Sequence, residues 1–203
     1  MENKWNNLAN EESIMKTIQS LKANGISAEL VKNREEAKNK VLALIPQGVE
    51  VMNMTSVTLD TIGIPQELEK DNYNTIRKEF AKMDSKSQKH QMKQMGAAPE
   101  YAIGSVHAIT ENGEILVASN TGSQLPAYAY GSDQVILVAG TQKIVKDLDA
   151  GMKRIYEHSL PLESERAKIA YGVPGSAINK ILIINKEHPN RIHLILVPEV
   201  LGF

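Results

Sequence analysis

Hydrophobic and polar positions along the chain follow two different periods, and each period predicts a type of element. Apolar residues spaced three and four apart predict amphipathic helices, whereas short apolar runs rich in Ile and Val predict strands. On this basis we predict helices at residues 7–24, 34–45, 55–63, 81–96 and 145–159. Strands are predicted at residues 26–31, 49–54, 101–110, 114–118, 134–140, 178–187 and 191–200.

The order of these elements favours an α/β fold with a mostly parallel sheet and flanking helices. The strand at 49–54 is followed at once by a polar loop and a helix, which is the start of a doubly wound α/β unit. No internal repeat, low-complexity tract or long linker interrupts the sequence. We therefore expect one domain over residues 1–203, in which residues 1–25 form a helical N-terminal arm.

Composition and charge exclude several classes of function. The formal net charge of the 203 residues is -1, so no electrostatic field attracts nucleic acid or an anionic membrane. Cysteine is absent, which excludes disulfides, thiol nucleophiles and iron–sulfur clusters held by this chain alone. The five histidines have no metal-ligand spacing, and no glycine-rich dinucleotide fingerprint is present, so we expect neither a metal nor a cofactor.

The N-terminus and the apolar runs indicate a cytoplasmic location. The first residues are polar and lack the basic start and apolar run of a signal peptide. The longest apolar runs are far shorter than the roughly 20 residues that cross a bilayer. We expect no contact with a membrane.

The triplet Glu111-Asn112-Gly113 has two interpretations that are compatible with each other. Asn-Gly between two strand-like runs is a strong hairpin signal, because both residues tolerate positive φ. Glu111 also stands where a strand ends, which is where α/β proteins bind ligands. If partial burial raised its pKa toward neutrality, this carboxylate could act as a nucleophile or general base.

Two polar loops are candidate anion-binding segments. The segment 119–124 (SNTGSQ) offers hydroxyl and amide groups, and Gly122 permits a close backbone approach. The segment 54–58 (MTSVT) places hydroxyls at a predicted helix N-terminus, although it lacks the glycine spacing of a P-loop. Each is equally explained as an ordinary turn or cap. The residues chosen as ligand-binding candidates are Thr55, Ser56, Thr58, Asn120, Thr121, Gly122 and Ser123.

A third candidate group follows Pro161. Glu163, Arg166 and Lys168 lie at the start of a predicted helix, ahead of a loop rich in Gly and Pro. Arg166 could bind a carboxylate in bidentate fashion. We expect a pocket between the helix start at 54–58, the Glu111 turn and the loop at 119–123, and Arg166 or Lys168 could close it. The alternative is a surface helix with charge pairs three residues apart, and the sequence leaves both interpretations open.

Five segments, taken in order, resemble the LUD domain, the lactate-utilization family that includes lactate utilization protein C. The resemblance covers most of the chain from about residue 10 and is carried by MNMTSVTLDTIGI, YAIGSVHAITENGEILVASNTGSQLP, QVILVAGTQKIVKDLDAG, LESERAKIAYGVPGSA and RIHLILVPEVLGF. It implies a Rossmann-like sheet similar to the NagB/RpiA/CoA-transferase superfamily, in a single LUD-type α/β domain.

The resemblance also implies roles for some of these residues. Thr55, Ser56 and Thr58 match the phosphate-binding loop of the ribose-5-phosphate isomerases, without that loop's glycines. The Glu111 triplet resembles the Glu-Asn-Gly setting of the acyl-accepting glutamate in class I CoA transferases. The later NTGS resembles a glycine-rich stretch of the isomerases.

The function implied by the resemblance is participation in the oxidation of lactate to pyruvate. Partner proteins with iron–sulfur clusters would carry the electrons, and this chain would bind a small anionic metabolite, either a carboxylate or a phosphate. The alternatives are a free-standing acyl-CoA transferase-like or sugar-phosphate isomerase-like enzyme that uses Glu111, and a non-catalytic scaffold. Whether the protein is an enzyme, and whether it forms a homo-oligomer, stays open at this point.

Overall fold

A computed structural model describes residues 4–70 and 72–203. Its eight α-helices in these residues are α1 (Glu11–Ala23), α2 (Arg34–Ala43), α3 (Val57–Ile62), α4 (Ile64–Leu68), α5 (Ile76–Phe80), α6 (Lys89–Ala97), α7 (Leu148–Arg154) and α8 (Leu160–Tyr171). Its ten strands are β1 (Ser27–Leu30), β2 (Glu50–Asn53), β3 (Asn74–Thr75), β4 (Tyr101–Gly104), β5 (Ala108–Thr110), β6 (Ile115–Ser119), β7 (Gln134–Gly140), β8 (Ile144–Val145), β9 (Lys180–Ile184) and β10 (Ile192–Val197).

Six strands form a parallel sheet in the order β1-β10-β7-β4-β2-β3. Side chains alternate between its faces, as the pleat of a strand requires. One face packs against α2, α3 and α4, for example through Ile136 and Val138, and the other carries Val135 and Leu137 toward α1 and a second sheet. The predicted α/β class with a mostly parallel sheet is confirmed.

The second sheet has the order β8-β5-β6-β9 and is mainly antiparallel. Its inner face, with Ile109 and Ile115, shares the core of the parallel sheet, and its outer face, with Ala108 and Leu116, packs against α7. The two sheets are joined by two short crossing segments, 105–107 after β4 and 141–143 after β7. Both crossings leave from the carboxyl ends of parallel strands, so they lie at the same edge of the parallel sheet.

The predicted strand at 101–110 is two strands in the structure. It breaks at Ser105, Val106 and His107, where the chain leaves the parallel sheet for the second sheet. The apolar pattern continues through the break because Val106 is also buried, so periodicity does not reveal it. The strands predicted at 178–187 and 191–200 correspond to β9 and β10. Although they are neighbours in the sequence, they belong to different sheets.

The chain N-terminus contributes to the core. Residues 4–6 form a 3₁₀ turn, and α1 buries Ile14, Ile18 and Leu21 between the two sheets. Asn10 caps α1 by accepting a hydrogen bond from the Ser13 N–H. The helical arm predicted over residues 1–25 thus contains a packed helix, and residues 1–3 lie outside the described residues.

Candidate functional site

Polar side chains from four separate segments meet where the chain crosses between the sheets. We call this group the inter-sheet cluster. Thr58 comes from α3, Ser105 and His107 from the first crossing, Lys143 from the second, and Arg154 and His158 from the helix after β8. Lys143, Arg154, Thr58 and His158 are buried, whereas Ser105 and His107 are partly exposed. Such a concentration of buried polar groups at the carboxyl edge of a parallel sheet is typical of a ligand site.

Lys143 is the centre of the inter-sheet cluster. Its Nζ lies 3.0 Å from Thr58 Oγ1, 3.1 Å from Ser105 Oγ and 3.0 Å from the Val106 carbonyl oxygen. Thr58 in turn donates its hydroxyl to the Leu201 carbonyl. Burial, followed by the positive charge of Arg154, holds the pKa of Lys143 well below its usual value.

Arg154 is the second buried basic residue of the cluster. Its Nη1 donates to the His107 carbonyl oxygen at 2.6 Å and to Ser159 Oγ at 3.3 Å. Its Nε and Nη2 are buried and have no hydrogen-bond partner among the described residues. Burial lowers the pKa of Arg154 to about 10, so the guanidinium still carries its charge at neutral pH.

No carboxylate pairs with Lys143 or Arg154 within the part of the chain that the structure describes. Burial alone lowers the pKa of Arg154, and the charged group that lowers the pKa of Lys143 is Arg154 itself. The two side chains donate to the consecutive carbonyl oxygens of Val106 and His107, and Arg154 lies near enough to Lys143 for its charge to lower the lysine's pKa. Buried charges are normally paired, and the charged Arg154 guanidinium has no carboxylate partner among the described residues.

Both histidines of the cluster are held in the neutral form. Burial, together with the charges of Lys143 and Arg154, lowers the pKa of His107 to about 3. Burial and the same two charges lower the pKa of His158 to about 4. His107 Nδ1 accepts a hydrogen bond from the Ala118 N–H, which places the proton of the neutral ring on Nε2.

Two π-helical turns are adjacent to the cluster. One, Ile155–Ser159, joins α7 to α8 and carries His158 and Ser159. The other, Ala127–Gly131, carries Tyr128, whose hydroxyl accepts a hydrogen bond from the Ser105 N–H. A Cβ at Gly104 would lie 1.6 Å from this hydroxyl oxygen, so only glycine fits there. Single π turns are rare and frequently occur at functional sites.

Glu111 lies at the far end of β5 from His107. The triplet forms a three-residue hairpin loop in which Gly113 has a φ of 86°, rather than a two-residue turn. The Glu111 carboxylate accepts hydrogen bonds from Ser13 Oγ at 2.7 Å and Lys16 Nζ at 2.9 Å, both on α1. These bonds lower the pKa of Glu111, whereas a general base would need a raised pKa.

Replacement of Glu111 by glutamine therefore tests the predicted catalytic role. We expect Glu111→Gln to lower the free energy of unfolding by about 1 kcal/mol, because it weakens a largely solvent-accessible ion pair with α1. Ligand binding at the inter-sheet cluster should stay unchanged. Urea unfolding and a ligand titration measure the two effects, and an unchanged stability with a loss of binding or activity would favour the catalytic role instead.

The three hydroxyl side chains predicted to bind an anion together, those of Thr55, Ser56 and Thr58, have different partners in the structure. Thr58 belongs to the inter-sheet cluster, and Ser56 caps α3 by accepting from the Leu59 N–H. Thr55 accepts from Arg77 Nη2 at 3.1 Å and lines a separate cavity of about 360 Å³ at the carboxyl ends of β2 and β3. Of these three candidates, Thr58 is therefore the one in contact with a buried cation.

The predicted loop 119–124 lies at the His107 end of the second sheet, because β6 runs antiparallel to β5. Ser119 Oγ accepts from the Gly122 N–H, and Thr121 and Ser123 hydrogen-bond each other. Asn120 accepts from the Asn179 side chain. The loop is thus at the end of the second sheet that lies near the inter-sheet cluster. Its polar groups form hydrogen bonds mainly within the loop and with Asn179, which follows α8.

The candidates on α8 pair with each other. Arg166 donates to both carboxylate oxygens of Glu163, each at 2.7 Å, and Lys168 pairs with Glu165. Glu163 raises the pKa of Arg166. The bidentate geometry predicted for a ligand is therefore occupied by a neighbouring side chain in the structure, and the ligand-binding role of these residues stays a prediction.

Five residues of the cluster were not predicted as site residues from the sequence, and one signal could have revealed two of them, Arg154 and His158. Gly151, Arg154, Ile155 and His158 follow helical spacing and are all buried. A positively charged residue and a histidine on the buried stripe of a helix are unusual and mark a functional or tightly paired site. Ser105, His107 and Lys143 gave no comparable local signal.

In the described part of the chain, no group of three or more His, Cys, Asp or Glu side chains could hold a metal ion. None of the helices in residues 4–70 and 72–203 combines the length and the apolar character needed to span a bilayer.

Comparison with known proteins gives a family and a fold. A family model of the LUD domain matches residues 14–197. A crystal structure of a DUF162 family protein from Deinococcus radiodurans is 13% identical, with a TM-score of 0.57 over 94% of this chain and 99% of that chain. At this identity the likeness shows the fold alone.

A second structure has a weaker likeness. The eIF2B delta structure from Chaetomium thermophilum is 14% identical with a TM-score of 0.39, covering 70% of this chain and 58% of that chain. A comparison with curated proteins gives no match.

Proposed function

Since the chain belongs to the LUD domain family, which is linked to lactate utilization in general, we propose that it binds a small anionic metabolite at the inter-sheet cluster. The metabolite is a carboxylate or a phosphate. The observation that carries the proposal is the buried, charged guanidinium of Arg154, whose Nε and Nη2 have no described partner and which lies beside the buried Lys143.

The chemistry of Arg154 favours an oxyanion as the missing partner. Its Nε and Nη2 are two adjacent donors in a fixed fork, and this is the geometry that binds carboxylate and phosphate oxygens in bidentate fashion. A bound anion would satisfy both donors and neutralise the excess positive charge. The neutral His107 and His158 add imidazole groups that can donate or accept hydrogen bonds.

The partly exposed residues of the cluster indicate the side from which the anion approaches. Ser105 and His107 are partly exposed, whereas Lys143 and Arg154 lie behind them. The ligand should therefore be small, because Lys143 and Arg154 are both buried. Lactate, pyruvate and inorganic phosphate are suitable probes of the two anion classes.

In this role, electron transfer belongs to partner proteins. The chain contains no cysteine, so an iron–sulfur cluster would have to belong to another protein. Its own part in lactate utilization would be to bind the anion. The identity of such partners stays a prediction.

The direct test is a calorimetric titration of the full chain with L-lactate, pyruvate and inorganic phosphate. We expect saturable binding of at least one of these anions at one site per chain, weakened by Arg154→Met and Lys143→Met. Arg166→Met serves as the matched surface control and should bind as the wild type does. Absence of saturable binding by all three anions, or loss of binding in Arg166→Met alone, would contradict the proposal.

A further inference from the structure

Ser105 and Lys143 have the arrangement of a nucleophile and its base. Ser105 Oγ lies 3.1 Å from Lys143 Nζ, within hydrogen-bond reach. The serine is partly exposed at the end of β4, while the lysine is buried behind it. A reachable hydroxyl backed by a buried amine is the geometry that nucleophilic catalysis requires.

Neighbouring groups hold both Ser105 and Lys143 in place. The Ser105 N–H donates to the Tyr128 hydroxyl, and the glycine before it leaves room for that ring. Lys143 Nζ is held by Thr58 Oγ1 and by the Val106 carbonyl oxygen, both at 3.0 Å. The base is therefore fixed on its far side and directed at the serine oxygen.

The hydrogen-bond network can hold Lys143 as a neutral amine with every proton placed. Thr58 donates its hydroxyl proton to the Leu201 carbonyl. The two amine protons then go to Thr58 Oγ1 and the Val106 carbonyl oxygen. The Ser105 hydroxyl lies 3.1 Å from both Thr58 Oγ1 and Lys143 Nζ, and rotation of its proton from Thr58 Oγ1 toward Nζ lets the amine lone pair accept it. The same distances also accommodate an ammonium group, so the network can gain and release one proton without moving.

The electrostatic surroundings support the neutral amine. Burial and the nearby Arg154 charge hold the pKa of Lys143 well below its ordinary value of 10.5. An amine with a lowered pKa is a competent general base near neutral pH.

We propose that Ser105 is the nucleophile and Lys143 the general base of an acyl-transfer reaction to water. The acyl donor is a small ester, thioester or acyl phosphate, and its acyl group carries a second anionic group that Arg154 binds. That anionic feature rests on the function proposed above, whereas the Ser105–Lys143 pair does not.

The reaction proceeds in two balanced steps. Ser105 Oγ forms a bond to the acyl carbon as the bond from that carbon to the leaving group breaks, and the hydroxyl proton moves to Lys143 Nζ and then to the leaving group. Water next attacks the acyl-serine, giving its proton to Nζ. The carboxylic acid is released, and Ser105 Oγ regains a proton from Lys143.

The test uses a small alkyl fluorophosphonate, which phosphonylates activated serines with loss of fluoride. We expect one label per chain on Ser105, located by mass spectrometry of peptides, and none on that peptide in Ser105→Ala. Lys143→Met and Lys143→Arg should slow labelling at least about 100-fold, since each removes the base. Ser27→Ala changes a partly buried serine at the opposite edge of the parallel sheet and should leave the rate unchanged.

The pH profile separates a base from a structural lysine. Wild-type labelling should rise with pH and level off well below pH 10.5, and Lys143→Arg should lack this plateau. An unlabelled Ser105 in wild-type protein that still binds lactate, pyruvate or phosphate, or equal labelling rates in wild type and Lys143→Met, overturns this inference and leaves the anion site intact. Labelling of Ser105 in a protein that binds none of the three anions would support Ser105 as a nucleophile and refute the proposed anion binding.

Discussion

Replacement of Arg154 by methionine is expected to weaken anion binding at least about 100-fold, which corresponds to about 2.7 kcal/mol, while the empty protein keeps its stability. The loss of binding follows because truncating a buried charged partner removes charge-assisted hydrogen bonds to the ligand. Stability is preserved because the empty protein holds this cation without a described counterion, at a pKa lowered to about 10. Apolar replacement of a poorly compensated buried charge is often neutral or stabilising.

Arg191 is the matched control, because it is a structural arginine. Its guanidinium pairs with Glu187 at 2.8 Å and donates to the Ser132 carbonyl at 2.8 Å and to the Tyr128 carbonyl. Arg191→Met should cost about 3 kcal/mol or more of unfolding free energy, because it leaves a largely buried carboxylate unpaired. Anion affinity should stay near that of the wild type. Urea unfolding and calorimetry of both variants measure the contrast, and a large loss of stability in Arg154→Met with normal binding would refute it.

We expect the free energy of unfolding to fall steeply as the pH is lowered below 6.5. The pKa values of His107 and His158 are about 3 and about 4 in the folded protein, below the ordinary histidine value of 6.5. At a pH between 6.5 and the folded-state pKa of each histidine, the unfolded chain binds a proton at that position and the folded protein does not. The free energy of unfolding therefore falls as the pH is lowered through this range. The loss should begin near pH 6.5 and add about 1.4 kcal/mol per pH unit for each histidine.

Asparagine variants separate the contributions of His158 and His107 to this pH dependence. His158→Asn should remove the part of the slope that extends from pH 6.5 down to about 4, and His107→Asn the part that extends to about 3. His90→Asn, at an exposed position on α6, should keep the full slope. The measurement is the free energy of unfolding in urea at a series of pH values. Equal slopes in all four proteins would show that these two imidazoles are not held neutral.

Much of the architecture could be predicted because local periodicity and burial agree along most elements. The strand predicted at 134–140 matches β7 in both bounds, since a run of apolar residues at the centre of a parallel sheet is buried on both faces. The break of the strand at 101–110 could not be predicted, because Val106 continues the apolar pattern while the chain changes sheets. Which strands pair is a property of the whole chain, and periodicity does not report it.

The candidate site was less accessible to sequence reasoning for a related reason. Thr58 was found from its position after a predicted strand, yet its partner Lys143 lies 85 residues further along the chain. Nothing local distinguishes that lysine from a surface lysine beside a strand. Glu111 shows the reverse case: its triplet resembles a catalytic setting, but in the structure its carboxylate holds the hairpin against α1. The role of a charged residue depends on what surrounds it after folding.

A crystal structure of the full chain with whichever of L-lactate, pyruvate or inorganic phosphate binds in calorimetry shows where the anion lies. We expect an anion oxygen about 3 Å from Arg154 Nε or Nη2, with Lys143 Nζ facing the same ligand. An anion bound at Glu111, at Arg166 or in the cavity beside Arg77, with both Arg154 nitrogens still unpaired, would refute anion binding at the inter-sheet cluster.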